Sequence, residues 1–131
     1  GARAIMGTFS HPITLVSQTR TGSQTLEALV DTGATFTAIP APILAGLGVA
    51  HQRRVRLRLA NGESVEWDLG EVSAQIDGVR STIPCIFGDA GTPPLIGAHT
   101  LETFLMVVDP AQQRLIPTEG LLMQLDPGID A

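Results

Sequence analysis

Short apolar runs separated by glycine and proline recur along the whole chain, and this pattern predicts a mainly β protein. Two β-like runs, at 12–18 and 24–30, flank Thr21-Gly22-Ser23 and predict a hairpin. Tight turns are predicted at Asp77-Gly78 and at Asp109-Pro110. The further predicted strands are 35–39, 71–76, 79–87, 105–108, 114–116 and 121–125, and one or two short helices are predicted at 42–48 and 98–104.

The segment 53–69 alternates polar and apolar residues on both sides of Asn61-Gly62, which predicts a longer hairpin. With a three-residue loop, Ala60-Asn61-Gly62, apolar residues face each other and arginines face carboxylates. A two-residue turn would place arginine opposite valine, so the pattern argues against it. The pairs that the three-residue loop predicts are Leu57 with Val65, Val55 with Trp67, Arg56 with Glu66, and Arg54 with Asp68. The arginines then form the solvated face of a hairpin instead of a stripe that binds nucleic acid.

Length and composition fit one domain with a sizeable core, because 44% of the 131 residues are hydrophobic. We expect residues 1–5 to be leftover or processed sequence before a natural start at Met6, residues 6–126 to form the domain, and residues 127–131 to be a polar tail. The net charge of −5 argues against nucleic acid and acidic membranes as partners. The sequence shows no leader and no long apolar run, which predicts a cytoplasmic protein.

The residue types that most often bind metals or act as thiol nucleophiles give no functional pattern. Cys85 is the only cysteine, so no disulfide can form within the chain, and its context "IPCIF" predicts a buried strand residue. His11, His51 and His99 have no ligand spacing. We therefore expect neither a metal nor another cofactor.

The stretch "ALVDTGATFTAIP", residues 28–40, contains the strongest candidate for chemistry. An apolar run ends at Val30 and carries Asp31 to the end of a strand, where Thr32 and Gly33 follow. A carboxylate that is held and shielded in this way can act as a general base. Thr32 supplies a hydroxyl for local hydrogen bonds, and Gly33 lets the backbone turn and a substrate approach closely. The same triplet is also common in ordinary turns at strand ends, so alone it is a modest signal.

The order of several segments is more specific than the triplet. The Asp-Thr-Gly stretch is followed by "PILAGLGV", by the "RLANGE" hairpin, and by "PPLIGAHTLETFLMVVDPAQQRLIP", which places Leu95-Ile96-Gly97 before a short helix. With these parts in this order, the sequence from Met6 to Pro117 resembles the retropepsin-like aspartic proteases, especially their short bacterial members. The resemblance implies an all-β fold with one or two short helices, namely a retropepsin-like closed β-barrel with one lobe per chain, assembled as a homodimer.

The same resemblance implies a role for each matching residue. Asp31 would be one of two carboxylates that share a proton and activate a water for attack on a peptide bond. Thr32, Gly33 and Ala34 would support the catalytic loop. The 55–67 hairpin would close over the substrate as a flap. The implied substrate-binding residues, in the flap and the pocket walls, are Ala60, Asn61, Gly62, Leu95 and Ile96. Many acid-acting relatives carry a hydroxyl in place of Ala34, which implies that this chain acts in mildly acidic solution.

The chain contains only half of such a site, because a second Asp-Thr-Gly or Asp-Ser-Gly does not occur. The most similar triplet, Asp89-Ala90-Gly91, falls in a predicted loop just before Leu95-Ile96-Gly97. We therefore expect the second carboxylate to be Asp31 of an identical chain, related by a twofold axis. The implied partners are this second copy and a peptide or unfolded protein substrate.

Three features depart from the pattern of that family. Ala98 stands where viral relatives often carry an arginine, the flap tip has the single glycine Gly62, and Trp67 on the hairpin stem does not map to the flap tyrosine of larger relatives. An alternative function is therefore a retropepsin-fold dimer that binds peptides or partner proteins with little or no turnover. The intact Asp-Thr-Gly favours the enzyme, because a pure binder has no use for a pair of carboxylates that share a proton.

Overall fold

The computed structural model describes residues 9–17, 19 and 22–122, and this part of the chain forms nine strands and two short helices. The strands are β1 (Ser10–Val16), β2 (Ser23–Val30), β3 (Thr37–Pro40), β4 (His51–Arg58), β5 (Ser64–Ile76), β6 (Val79–Gly88), β7 (Leu95–Ile96), β8 (Met106–Asp109) and β9 (Arg114–Pro117). The helices are α1 (Ala41–Gly46) and α2 (Ala98–Thr103). Neither described helix is long and apolar enough to cross a membrane.

Seven of the strands form one sheet in the order β1-β2-β7-β3-β6-β5-β4. A further pairing between β1 and β5 closes this sheet into a barrel, and β4 projects from it as the partner of β5. β7 pairs in parallel with β2, and β3 pairs in parallel with β6. β8 and β9 form a separate hairpin. The predicted closed β-barrel with two short helices is confirmed.

The core follows from the period-two alternation of the long strands, which directs every second side chain inward. Ile13 and Leu15 of β1, and Val72, Ala74 and Ile76 of β5, are fully buried. A second, smaller apolar cluster lies where the β4–β5 hairpin leaves the barrel, and we call it the hairpin cluster. Its buried members are Ala38, Leu69 and Ile86, and the half-buried residues packed on them are Phe36, Val55, Leu57, Trp67 and Leu95.

The β4–β5 hairpin has the predicted register. The backbone of Leu59 pairs with that of Glu63, and Gly62 has a φ of 90°, so the loop contains three residues with glycine in a left-handed conformation. The apolar pairs are Leu57 with Val65 and Val55 with Trp67. On the other face, Arg56 Nη2 lies 3.3 Å from Glu66 Oε2, and Arg54 Nη1 lies 3.2 Å from Asp68 Oδ1. The prediction of a charged, solvated face is confirmed for these two pairs.

The predicted turns at Asp77-Gly78 and Asp109-Pro110 are also present. β1 and β2 pair as predicted, but Thr21 of the turn between them lies outside the described residues. Asp77 and Gly78 have φ values of 50° and 84°, which is the pattern of a two-residue turn between β5 and β6. The β8–β9 turn is closed by Asp109, whose carboxylate accepts hydrogen bonds from the backbone N–H groups of Ala111 and Gln112. These turns could be predicted from local sequence because short polar side chains accept hydrogen bonds from turn N–H groups, and glycine adopts positive φ, in most folds.

Several boundaries differ from prediction: β1 lies at Ser10–Val16 instead of 12–18, and Ser64–Ile76 is one continuous strand where two were predicted. β3 begins at Thr37 instead of residue 35, because the carbonyl of Thr35 accepts a hydrogen bond from His99 at the start of α2 and is unavailable to the sheet. The predicted strand at 121–125 is not formed at Leu121 and Leu122, and residues 123–125 lie outside the described residues.

Candidate active site

Asp31 lies at the end of β2, in a loop that backbone hydrogen bonds hold on several sides. Val30 is buried and pairs with Ile96, which fixes where the strand ends. The N–H of Asp31 donates to the carbonyl of Ile96 at 2.9 Å. The N–H of Gly33 donates to Asp31 Oδ1 at 3.0 Å, and the N–H of Ala34 donates to the carbonyl of Asp31 at 3.1 Å. The carboxylate is therefore oriented by its own loop and is half-buried.

The segment after β7 holds the other side of this loop. The N–H of Ala98 donates to the carbonyl of Ala34 at 2.7 Å, and the N–H of His99 donates to the carbonyl of Thr35 at 2.9 Å. The two predicted motifs, Asp31-Thr32-Gly33 and Leu95-Ile96-Gly97, are thus neighbours joined by main-chain hydrogen bonds. This arrangement gives the Asp31 loop little freedom to move.

Gly97 is required for that contact. A Cβ added to Gly97 would lie 2.9 Å from the carbonyl oxygen of Ala34 and closer still to the carbonyl oxygen of Phe36. These oxygens belong to the backbone, which cannot move aside as the end of a flexible side chain can. Any other residue at position 97 would therefore push α2 away from the Asp31 loop. Glycine at this position is explained by close backbone approach and not by an unusual φ, because the φ of Gly97 is −94°.

Beneath the loop lies a hydroxyl pair that the sequence did not reveal. Thr37 and Thr100 are fully buried, and their Oγ1 atoms lie 2.6 Å apart. Thr37 Oγ1 also accepts a hydrogen bond of 3.1 Å from the N–H of Gly97. The pair links β3 to α2 directly behind the Asp31 loop. No local pattern could have identified it, because each threonine by itself reads as an ordinary strand or helix residue.

A cleft of about 380 Å³ separates the Asp31 loop from the β4–β5 hairpin. Its walls combine the loop, the edge of β4 and the hairpin cluster. The lining residues are Gly33, Ala34, Thr35, Phe36, Ala38, Arg56, Leu57, Arg58, Leu59, Trp67, Ile86 and Leu95. It is mostly apolar and large enough for one or two side chains of an extended peptide.

The residues proposed for the site from the sequence are distributed unequally around this cleft. Gly33, Ala34 and Leu95 line it, whereas the half-buried Asp31 and the exposed Thr32 lie beside it in the same loop. Ile96 is fully buried in the main core and contributes its carbonyl to Asp31 instead of a side chain to the cleft. The exposed tip residues Ala60, Asn61 and Gly62 do not line the cleft of this chain.

Trp67 is the largest cleft residue to which sequence analysis gave no role. It faces Val55 across the hairpin and therefore shares the apolar inner face with Leu57. The alternation of the hairpin predicts that Trp67 shares a face with Leu57, because residues directly opposite each other in an antiparallel pair lie on one face of the sheet. The alternation could not predict that the Asp31 loop lies beneath that face.

Several surface grooves larger than this cleft lie away from the Asp31 loop. One, of about 530 Å³, is lined by Thr14, Ser23, Gln75 and Arg80 among others, and one, of about 460 Å³, is lined by Arg54, Asp68, Phe87 and Asp89 among others. Asp89, which the sequence offered as the nearest counterpart of Asp31, is exposed in the turn after β6. Size alone therefore does not locate the candidate site, and we place it where Gly33 and Ala34 of the Asp31 loop border the apolar cleft. Among the described residues, no group of histidine, cysteine and carboxylate side chains could hold a metal ion.

The single cysteine is buried as predicted, and burial raises the pKa of the Cys85 thiol to about 12 from 9.0. In native protein at pH 8 we expect no reaction of this thiol with Ellman's reagent, and reaction of one thiol per chain after unfolding in urea. Between pH 9 and about 12 the thiol of unfolded Cys85 is ionised, whereas that of folded Cys85 stays protonated. The free energy of unfolding should therefore fall as the pH rises from about 9 towards 12. Cys85→Ala should remove that part of the pH dependence. Rapid labelling of the native protein would contradict the buried placement.

The family of this chain follows from comparison with known proteins. Residues 17–103 match the family described as "gag-polyprotein putative aspartyl protease". This match covers well over half of the chain, and the chain belongs to that family, with a retropepsin-like fold. Membership supports a function of the protease type. A search of curated protein sequences finds no significant match.

Solved structures with the same fold come from viral, bacterial and eukaryotic sources. The simian foamy virus (mac) protease matches with a TM-score of 0.51 and 14% identity, over 71% of this chain and 91% of that chain. The retroviral protease-like domain of Ddi1 from Leishmania major matches with a TM-score of 0.52 and 17% identity, over 84% and 87%. A protein of unknown function from Legionella pneumophila matches with a TM-score of 0.53 and 18% identity, over 84% and 93%. At these identities the matches show the fold alone.

Proposed function

We propose that this chain is an aspartic endopeptidase that acts as a homodimer, with one Asp31 from each copy in a shared site. The observation that carries the proposal is the placement of a single held carboxylate beside an apolar cleft. The chain supplies only one such carboxylate, so a complete site requires a second copy. The family and the retropepsin-like fold support this assignment.

The surface around Asp31 supports assembly at this point. Thr32 and Gly33 are exposed, and Leu29, which precedes the loop on β2, keeps 39% of its surface exposed despite being apolar. A second copy related by a twofold axis would cover these residues and bring its own Asp31 loop opposite the first. Thr32 would then form hydrogen bonds across the axis beneath the two carboxylates.

The chemistry that we propose is the addition of water to a peptide bond. The two Asp31 carboxylates that face each other in the proposed site would share one proton, because repulsion prevents both from being ionised at the same time. The ionised carboxylate removes a proton from the water, whose oxygen attacks the peptide carbonyl carbon, while the protonated one donates to the carbonyl oxygen. Collapse of this intermediate breaks the C–N bond, with a proton passing to the leaving amine. The products are a carboxylic acid and an amine, and no cofactor is needed.

The proposed positions of the substrate follow from the cleft. An extended peptide would lie between the Asp31 loop and the β4–β5 hairpin, which would act as the flap and shed water on closing. Gly33 would offer backbone groups to the peptide, and Leu95 and Trp67 would contact its apolar side chains. Ala60, Asn61 and Gly62 would reach the substrate only when the flap closes over the assembled site.

Two measurements on purified protein test the proposal. Incubation with a mixed peptide library, followed by mass spectrometry, should show internal cleavage that is absent with Asp31→Ala. Sedimentation at micromolar concentration should show a dimer. Peptide binding without any cleavage would support the alternative of a binding module, and a strict monomer that still cleaves peptides would contradict the shared site.

A further inference from the structure

Two buried hydroxyl groups, those of Thr37 and Thr100, lie behind the Asp31 loop, and we call them the hydroxyl pair. Both residues are fully buried, and Ser17 is the only other buried polar residue in the part of the chain that the structure describes. Valine would fill nearly the same space without a polar atom, and burying a hydroxyl costs free energy unless it forms hydrogen bonds. The hydroxyl pair is therefore a candidate for a role that an apolar side chain could not fill.

The hydrogen bond of the hydroxyl pair to Gly97 has a fixed direction. A backbone N–H only donates, so Thr37 Oγ1 accepts the hydrogen of Gly97 at a distance of 3.1 Å. Thr100 Oγ1 lies 2.6 Å from Thr37 Oγ1 and holds that acceptor in place. Valine at position 37 would leave the buried N–H of Gly97 without this acceptor, and an unpaired buried donor is costly. Gly97 therefore depends on the Thr37 hydroxyl for its position against β3.

The residues on either side of Gly97 hold the Asp31 loop. The carbonyl of Ile96 accepts the N–H of Asp31 at 2.9 Å. The N–H of Ala98 donates to the carbonyl of Ala34 at 2.7 Å. Both bonds come from peptide groups next to Gly97, so a displacement of Gly97 would shift both of them. The hydroxyl pair is thus linked to the Asp31 loop through one residue.

We infer that Thr37 and Thr100 are positioning residues, which set the place of the Asp31 carboxylate through Gly97. The inference rests on the proposed peptidase function. Neither threonine lines the cleft, so their hydroxyls should affect the rate of the chemical step and not the contacts that bind the peptide. A reacting group displaced by about 1 Å can lose on the order of a hundredfold in rate.

Replacement of each threonine by valine should lower kcat to a different extent. Thr37→Val removes the acceptor of the Gly97 N–H and should lower kcat by about 30-fold, with KM changed by less than about threefold. Thr100→Val leaves the bond between Thr37 and Gly97 intact and should lower kcat by only about fivefold. Thr37→Ser keeps the hydroxyl and should retain at least about a third of the wild-type kcat.

Two controls separate positioning from a purely structural role, with every variant assayed at a temperature at which it is folded. Thr37→Ser deletes a buried methyl group and should itself be less stable than wild type, so a retained kcat would tie the rate to the hydroxyl and not to stability. Ser17→Ala removes a buried hydroxyl that donates to the carbonyl of Leu47, at the end of the β1–β2 hairpin remote from Asp31. It should lower stability but leave kcat unchanged. A Thr37→Val enzyme no slower than Ser17→Ala, or a serine variant as slow as valine, would overturn the inference.

Amide hydrogen exchange followed by NMR tests the same positioning without any peptidase activity. In Thr37→Val the N–H groups of Asp31, Gly97 and Ala98 should exchange about tenfold or more faster than in wild type, relative to the amides of β1. Ser17→Ala should not change this ratio. If Thr37→Val does not fold, Thr100→Val takes its place in both tests, with the smaller effect.

The exchange measurement keeps this inference separate from the proposed activity. Faster exchange confined to the Asp31 loop and Gly97 would support the positioning role even if no cleavage were found. Exchange that is unchanged there, or that rises equally across the whole sheet, would overturn the inference while leaving the peptidase intact.

Discussion

Asp31→Asn is expected to abolish peptide cleavage, lowering kcat/KM by about a thousandfold or more. Asparagine has nearly the same shape as aspartate, and its side-chain oxygen can still accept the N–H of Gly33. The amide, however, can neither take a proton from water nor share one with the opposite carboxylate. The loss should therefore concern the chemical step and not the fold.

The matched measurements are kcat/KM on one peptide, thermal unfolding and sedimentation of both proteins. We expect the variant to melt within a few degrees of the wild type and to remain a dimer. Residual activity above about one tenth of the wild-type value would show that the reacting water depends on another group. If Asp31→Asn loses its fold together with its activity, Asp31→Glu serves as a second variant. Its carboxylate can still share a proton, so this variant should retain more activity than Asp31→Asn.

Gly97→Ala should destabilise the fold by about 3 kcal/mol or more. The added methyl would meet the carbonyl oxygens of Ala34 and Phe36, which are fixed backbone atoms. The φ and ψ of Gly97, −94° and 176°, suit alanine, so the cost comes from the clash and not from backbone strain. To relieve the clash, α2 and the Asp31 loop must separate, which should also lower activity in whatever fraction stays folded.

The matched control is Gly91→Ala. A Cβ at Gly91 has no neighbour within 4 Å, so this change should alter the unfolding free energy by less than about 0.5 kcal/mol. Urea unfolding followed by circular dichroism measures both variants. A Gly97→Ala protein as stable as Gly91→Ala would show that the two motifs do not approach as closely as described.

Local patterns were sufficient for much of the fold. The register of the β4–β5 hairpin could be predicted because one wrong step would set arginine against valine along the whole ladder. The turn at Asp77-Gly78 could be predicted because few residue pairs tolerate positive φ at both positions. In both features, the interactions that decide the structure join residues that are close in sequence or that face each other across one turn.

The candidate site was predictable only in part. The motifs at Asp31 and Leu95 could be read as segments, and the resemblance implied that they meet. The buried pair of Thr37 and Thr100 could not be read, since its two residues lie 63 positions apart and neither is unusual alone. The position of Ile96 shows the same limit: whether its side chain or its carbonyl serves the site depends on how β7 is inserted between β2 and β3.

The proposed site needs one Asp31 from each of two copies of the chain, and mixing of subunits tests this requirement. Wild-type protein is unfolded and refolded, or left to exchange at low concentration, with a ninefold excess of Asp31→Asn chains. If every mixed dimer is inactive, random pairing should reduce activity per wild-type chain to about one tenth. The same excess of Arg80→Gln chains, which keep Asp31, should cause no such loss. Activity per wild-type chain that is unchanged by the Asp31→Asn excess, with exchange verified by mass-labelled subunits, would contradict the shared site.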